Sequence, residues 1–256
     1  MTQFANNLAV VYSDPCLLAA SETLAARLAV PLLELQSLAK DTQQDFYLCY
    51  RDDCLKLLDR QTLKKGGLIV EVDPRPGEQH SYPAPKKDLL AQAVGKKSKT
   101  IVDATTGWAQ DSLAMFRMGY EMQCIERSPV MAALIEDGFQ RLAQKDWVQT
   151  RQLQPPKLLV GNAIELLQQL PEAPDCIYVD PMFPAKRKKS ALAKKAMTML
   201  RDILGDDEDR EDLFAAAWQA TGKRVVVKSP DYAEPIAGKP SESYQGKLLR
   251  YDVYLK

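Results

Sequence analysis

The chain has 256 residues, 46% hydrophobic and 27% charged, enough for one large α/β domain or a core domain with a smaller appendage. Its 34 basic residues balance 34 acidic ones, so any affinity for nucleic acid has to come from local patches rather than from overall charge. No apolar run nears the roughly 18 residues of a membrane span, no leader peptide is evident, and one histidine (His80) leaves zinc sites and histidine-based nucleophiles without partners; no membrane and no metal are expected.

Residues 1–85 predict a small α/β segment. Ala9 to Tyr12 forms a strand, and Ser21 to Leu28 a helix with Ser21 as its N-cap. Phe46 to Tyr50 and Leu68 to Val72 are strand-like, the second preceded by a Gly66-Gly67 turn. Asp73 to Pro85 holds four prolines and a glycine and predicts a linker, after which Lys86 to Val94 predicts a short helix. The five cysteines (Cys16, Cys49, Cys54, Cys124, Cys176) form no C-x-x-C pair and read as buried thiols of a reducing cytoplasm.

From Thr100 strands and helices alternate. Strands are expected at Thr100–Asp103, Glu121–Glu126, Leu158–Val160, Cys176–Asp180, Arg224–Val227 and Arg250–Leu255, with helices at about Ala109–Met118 and after the Ser128-Pro129 cap. This pattern defines residues 86–256 as an α/β domain, a Rossmann-like doubly wound sheet of mostly parallel strands. Ligands in such sheets sit beyond the carboxyl ends of the strands, so the chemistry is sought there.

The first of these strand ends reads Asp103-Ala104-Thr105-Thr106-Gly107-Trp108-Ala109-Gln110-Asp111. Gly107 lets a cofactor approach the backbone, and the following helix offers free N–H groups. The loop lacks the other two glycines of the dinucleotide fingerprint, and Asp103 would repel a pyrophosphate. It would attract the ammonium and sulfonium of S-adenosylmethionine. Glu126 ends the next strand 23 residues after Asp103, where an acid can accept both ribose hydroxyls or serve as a solvated turn residue. Arg127 can lie against the adenine or a neighbouring carboxylate. Asn162, beside Ala163, can read the adenine edge, cap a helix, or do both.

The sharpest signal is Asp180-Pro181-Met182-Phe183-Pro184. A base's exocyclic amine is a poor nucleophile because its lone pair is conjugated with the ring. Asp180 and the Pro181 carbonyl can accept its two N–H bonds, while Phe183 offers a face for the base. Pro181 stiffens the loop that places these acceptors. Lys186, Arg187, Lys188 and Lys189 follow, as phosphate contacts or as a solvated face. Near the end of a later strand, Lys228 can touch phosphate and Tyr232 can wall the base pocket, or both can be structural.

These motifs together resemble the ribosomal RNA small subunit methyltransferase J family. The resemblance rests on Val102–Thr105 with Gly107 and Asp111, Ile125–Val130, Tyr178–Pro184, Lys189–Leu192 and Arg224–Tyr232. It runs through roughly residues 65–256 and is loose before that. It implies a class I methyltransferase fold, S-adenosylmethionine as donor, and methylation of a guanine N2 in 16S rRNA, free or within the small ribosomal subunit. It places cofactor contacts on Gln110, Asp111, Glu126, Arg127, Asn162, Ala163 and Asp180. The chain departs from the family at Ala109, usually glycine, and at Gln110, usually arginine. From the residues alone adenine N6 stays open beside guanine N2, as does a non-catalytic RNA-binding assembly factor. A nicotinamide oxidoreductase is disfavoured by the missing glycines and by Asp103.

Overall fold

The computed structural model describes residues 7–40, 44–63, 66–73, 82–181 and 209–256. Two sheets organise them. The smaller has the order β2-β1-β3-β4, from β1 (Leu8–Tyr12), β2 (Leu32–Glu34), β3 (Phe46–Arg51) and β4 (Cys54–Asp59). β1 pairs in parallel with both β2 and β3, and β4 returns antiparallel through Asp52-Asp53. Both aspartates are left-handed, with φ of 53° and 56°, which is the type I′ geometry of a two-residue hairpin. Aspartate tolerates that region better than most side chains, so the hairpin forms without the glycine that usually advertises it.

The helix after β1 starts earlier than expected. α1 spans Leu18–Leu28 and follows a short 3-10 turn at Pro15–Leu17, where Asp14 accepts the Cys16 N–H at 2.8 Å. Ser21 is therefore no N-cap; it lies buried inside the helix, its hydroxyl without a partner among the described residues. Leu68 to Val72 is not a full strand either. It makes one antiparallel bridge, Leu57 to Leu68, while Val70 and Val72 plug into the core. The linker's His80 lies outside the described residues.

The larger sheet runs β10-β11-β9-β8-β5-β6-β7. β5 (Thr100–Asp103), β6 (Glu121–Glu126), β7 (Lys157–Val160), β8 (Cys176–Val179) and β9 (Arg224–Pro230) are parallel; β11 (Leu249–Leu255) is antiparallel to β9, and β10 (Glu242–Gln245) to β11. The central strands are apolar along their length, as strands covered on both faces must be. On one face pack α2 (Leu89–Val94), α3 (Gln110–Arg117) and α4 (Pro129–Ala143), joined by Val148 of α5 (Asp146–Thr150). On the other pack α6 (Ala163–Leu167) and α7 (Arg210–Ala220). Strand order reverses between β5 and β8, so a crevice opens beyond their carboxyl ends.

The small sheet docks on α4. Arg27 bonds Glu136 at 2.6 Å, Arg141 reaches the Val70 carbonyl at 2.8 Å, and Val70 lies against Gly138 in mid-helix. A Cβ at 138 would meet Val70 Cγ1 at 2.6 Å, closer than packed carbons approach. Gly138→Ala gains about 1 kcal/mol of helix propensity, but overpacking a close contact costs about 1–3 kcal/mol. A thermal melt is expected to show Tm lowered by a few degrees; a more stable variant would mean that Val70 yields without cost.

Candidate active site

Beyond β5 the chain turns sharply. Gly107 (φ 52°) and Ala109 (φ 56°) are both left-handed, and α3 begins at Gln110. The loop is tied down on two sides. Thr106 donates from backbone and hydroxyl to the Ile125 carbonyl, and Ala104 N–H donates to the Tyr178 carbonyl. Ala109 is fully buried and takes a conformation that costs an L-residue about 1–2 kcal/mol. That is the physical reason a glycine would suit this position.

Glu126, ending β6, is buried and holds three loops together. Its carboxylate accepts N–H bonds from Gly107 at 3.0 Å and Ser128 at 2.8 Å, and its backbone carbonyl accepts the Gly161 N–H at 2.9 Å. Ser128 caps α4 through Met131 N, with Pro129 at the first turn, as expected. Arg127 is exposed and lies 3.8 Å from Asp209, a surface pair worth little. Asn162 caps α6 by accepting from Ile164 N at 2.9 Å, beside Ala163. Gln110 stands exposed at the first position of α3.

Asp103 is only 2% exposed and accepts bonds from Ser112 Oγ and from Thr105 N at 3.0 Å. Cys124 in turn donates to Ser112 at 3.3 Å. Burial pushes the Asp103 carboxyl up to about 7, against the pull of those two bonds, and the neighbouring Asp111 and Asp180 charges push the same way. A folded-state value above the free one means the native chain takes up this proton before the unfolded chain does. The group's contribution to stability is therefore full in acid and is lost as pH rises from about 4 through about 7.

Asp180 follows β8. Its N–H donates to Thr105 Oγ1 at 2.6 Å, and its Oδ2 accepts from Lys228 Nζ at 2.9 Å. The same ammonium reaches Asp111 Oδ2 at 2.7 Å, where the Tyr178 hydroxyl also donates at 2.5 Å. Lys228 is largely buried; burial works against its charge, but Asp180 and Asp111 outweigh it and hold its pKa well above the usual lysine value. Pro181 is buried next to Asp180. Four strand ends and α3 thus bring Asp103, Asp111, Glu126, Asp180 and Lys228 into one crevice.

Tyr232 lies past the end of β9, 42% exposed. Phe183 and the basic run Lys186, Arg187, Lys188 and Lys189 lie outside the described residues. Sequence reasoning missed Thr105, Ser112 and Tyr178 as partners of the carboxylates, although Thr105 and Tyr178 stand inside the motifs. Their hydroxyls look structural until the strands are laid side by side. Four of the cysteines are buried, as expected, but Cys16 is exposed. Among the described residues no cluster of acids, cysteines and histidine is arranged to hold a metal ion, and no helix is long and apolar enough to cross a membrane.

A seven-stranded sheet with one antiparallel strand inserted near its edge, and acids at the ends of its first two parallel strands, defines a class I S-adenosylmethionine-dependent methyltransferase. The sequence matches the family described as "Putative SAM-dependent methyltransferase" over residues 31–256. The ribosomal RNA small subunit methyltransferase J of Shewanella amazonensis is 38% identical over 229 residues, 86% of this chain and 90% of that one. That of Coxiella burnetii is 36% identical over 255 residues, 98% and 97% of the two chains. A crystal structure of a SAM-dependent methyltransferase from Neisseria gonorrhoeae superposes with a TM-score of 0.69 at 29% identity, covering 96% of each chain. The chain belongs to the ribosomal RNA small subunit methyltransferase J family.

The crevice fits this cofactor chemically. Carboxylates suit a ligand carrying an ammonium and a sulfonium, and the β5–α3 loop holds a buried indole N–H, Trp108 Nε1, with no acceptor among the described residues. Since burial pushes the Asp103 carboxyl up to about 7, a contact between Asp103 and the cofactor would make affinity rise as pH goes from about 6 to about 8. Calorimetry with S-adenosylmethionine checks this. Asp103→Asn should flatten the dependence, and a flat wild-type profile would remove Asp103 from cofactor binding.

Proposed function

We propose that the protein transfers a methyl group from S-adenosylmethionine to the exocyclic N2 of a guanine in the 16S rRNA of the small ribosomal subunit, in the cytoplasm. One observation carries the reading: Asp180-Pro181 stands at the switch point, its backbone tied to Thr105 and its carboxylate to Lys228. That arrangement suits a pair of acceptors aimed at one planar amine. The names of the relatives support small-subunit rRNA as the substrate class.

Asp103, Gly107, Gln110, Asp111, Glu126, Arg127, Asn162, Ala163 and Asp180 would hold the cofactor, with Glu126 on the ribose and the aspartates toward its positive end. Bound there, S-adenosylmethionine supplies an electrophilic methyl group on a sulfonium centre. The protein's own work is positioning. Asp180 Oδ and the Pro181 carbonyl take the two N–H bonds of the guanine amine, raising electron density on its nitrogen. Asp180 also stands ready to accept the proton that nitrogen sheds. Phe183 stacks on the displaced base, a contact worth about 1–3 kcal/mol. Lys186, Arg187, Lys188 and Lys189 contact phosphates, and Tyr232 borders the base. Residues 1–85 form a substrate-contacting segment ahead of the methyltransferase domain, residues 86–256.

The test is transfer of labelled methyl from S-adenosylmethionine to small subunits lacking their native modification, followed by nucleoside analysis. Label in N2-methylguanosine is the expected result. Label in N6-methyladenosine would keep the chemistry and overturn the acceptor; cofactor binding without transfer to subunits or naked rRNA would overturn the substrate.

A further inference from the structure

We propose that Lys228 is a positioning residue for Asp180: clamped between two carboxylates, its ammonium fixes the orientation of the Asp180 side chain and keeps it an acceptor. The proposal rests on the amine-accepting role of Asp180 given above. It moves Lys228 from the RNA interface, where its place near a strand end had suggested a phosphate contact, into the machinery behind the acceptor.

The geometry argues against the phosphate role. Lys228 Nζ lies 2.7 Å from Asp111 Oδ2 and 2.9 Å from Asp180 Oδ2, and its side chain is 23% exposed. Turning out to a phosphate would break two charge-assisted bonds and leave two carboxylates facing each other, 26% and 37% exposed and so only partly screened by solvent. The anchor is also rigid. Asp111 is fixed from the other side by the hydroxyl of Tyr178, which is 1% exposed on β8, and Tyr251 of β11 packs 6.5 Å from that ring. One ammonium thus ties α3, β8 and β9 together at the point where the amine is to be received.

Charge makes the same case. Asp103 from β5 and Asp111 from α3 bring like charges to the same crevice as Asp180; Tyr178 and Tyr251 border the group with un-ionised hydroxyls, their pKa values raised by burial. Among the described residues Lys228 is the opposing charge. A protonated Asp180 would present an O–H donor on one oxygen, the wrong partner for an N–H. Removing the ammonium should therefore move the acid limb of the activity profile to higher pH, besides loosening the side chain.

The experiment compares Lys228→Met, Lys228→Gln and Lys228→Arg with wild type and with Asp180→Ala, using S-adenosylmethionine and unmodified small subunits. The expected result for Met and Gln is a kcat lowered about tenfold to a hundredfold. KM for both substrates should stay within a few fold, the salt dependence of RNA binding should not change, and the acid limb should move upward. Lys228→Arg should restore much of kcat and the original limb. Weaker RNA binding at unchanged kcat would return Lys228 to the phosphates and overturn the proposal. A lower kcat with an unmoved acid limb and no rescue by arginine would reduce Lys228 to a structural part and overturn it equally. Should the methionine variant not fold, Gln and Arg carry the comparison. If Asp180→Ala turns over normally, the acceptor reading itself falls; if it is inactive while Lys228→Met is normal, only the positioning role falls.

Discussion

Asp180→Ala is expected to lower kcat by about 10²–10³-fold, the scale on which losing one preorganised polar group at a reacting centre registers, while rRNA affinity stays unchanged. The substitution removes the proposed acceptor and also strips Lys228 of one of its two carboxylates. Single-turnover transfer to unmodified small subunits, alongside filter binding of the same RNA, measures both quantities. Asp180→Asn is the informative companion. It keeps one carbonyl acceptor and the side chain's shape but turns the other oxygen into a donor, so it should fall between wild type and alanine. Full turnover in the alanine variant would take Asp180 out of the mechanism.

The second large effect is expected at Glu126. Glu126→Ala should weaken S-adenosylmethionine and S-adenosylhomocysteine binding by about 10²–10³-fold, because each bond to a charged acceptor is worth about 1.5–3 kcal/mol. A carboxylate offers about four acceptor positions, so bracing the loops and accepting ribose hydroxyls are compatible roles. The two contributions separate by experiment. Glu126→Gln keeps a carbonyl oxygen for only one of the Gly107 and Ser128 N–H groups and sets an amide donor against the other, so its melting temperature should fall too, and affinity measured where every variant is still folded isolates the cofactor contacts. Calorimetric titration with the two cofactor forms, with a thermal melt of each variant, decides the matter. Wild-type affinity in the alanine variant would remove Glu126 from the cofactor site.

Much of the larger sheet was legible because its strands declare themselves. Ile101-Val102, Cys176–Val179 and Val225–Val227 are apolar runs that fit only a strand covered on both faces, and Ser128-Pro129 and Asn162 mark helix starts by side-chain chemistry that acts locally. The smaller sheet was less legible. β2 is three residues long, and the β3–β4 hairpin turns on two aspartates. Leu68 to Val72 has the composition of a strand but uses Val70 and Val72 to fill a core shared with α4, and a side chain's destination is not written in its neighbours.

The sequence by itself determined the alternation of strands and helices, the acids at the ends of β5 and β6, and the Asp180-Pro181 pair after β8, because hydrophobic period, capping and backbone restriction all act within a few residues of chain. Which groups face one another was decided only by tertiary structure. Asp111, Tyr178, Asp180 and Lys228 lie up to 117 positions apart and meet because β8 lies between β5 and β9 and α3 packs over them. The high value of the Asp103 carboxyl likewise comes from burial, a property of the folded whole. Lysine at position 228 reads as a surface cation along the chain; packed between two carboxylates, it is the counter-charge of the site, because charges interact through space and not through sequence.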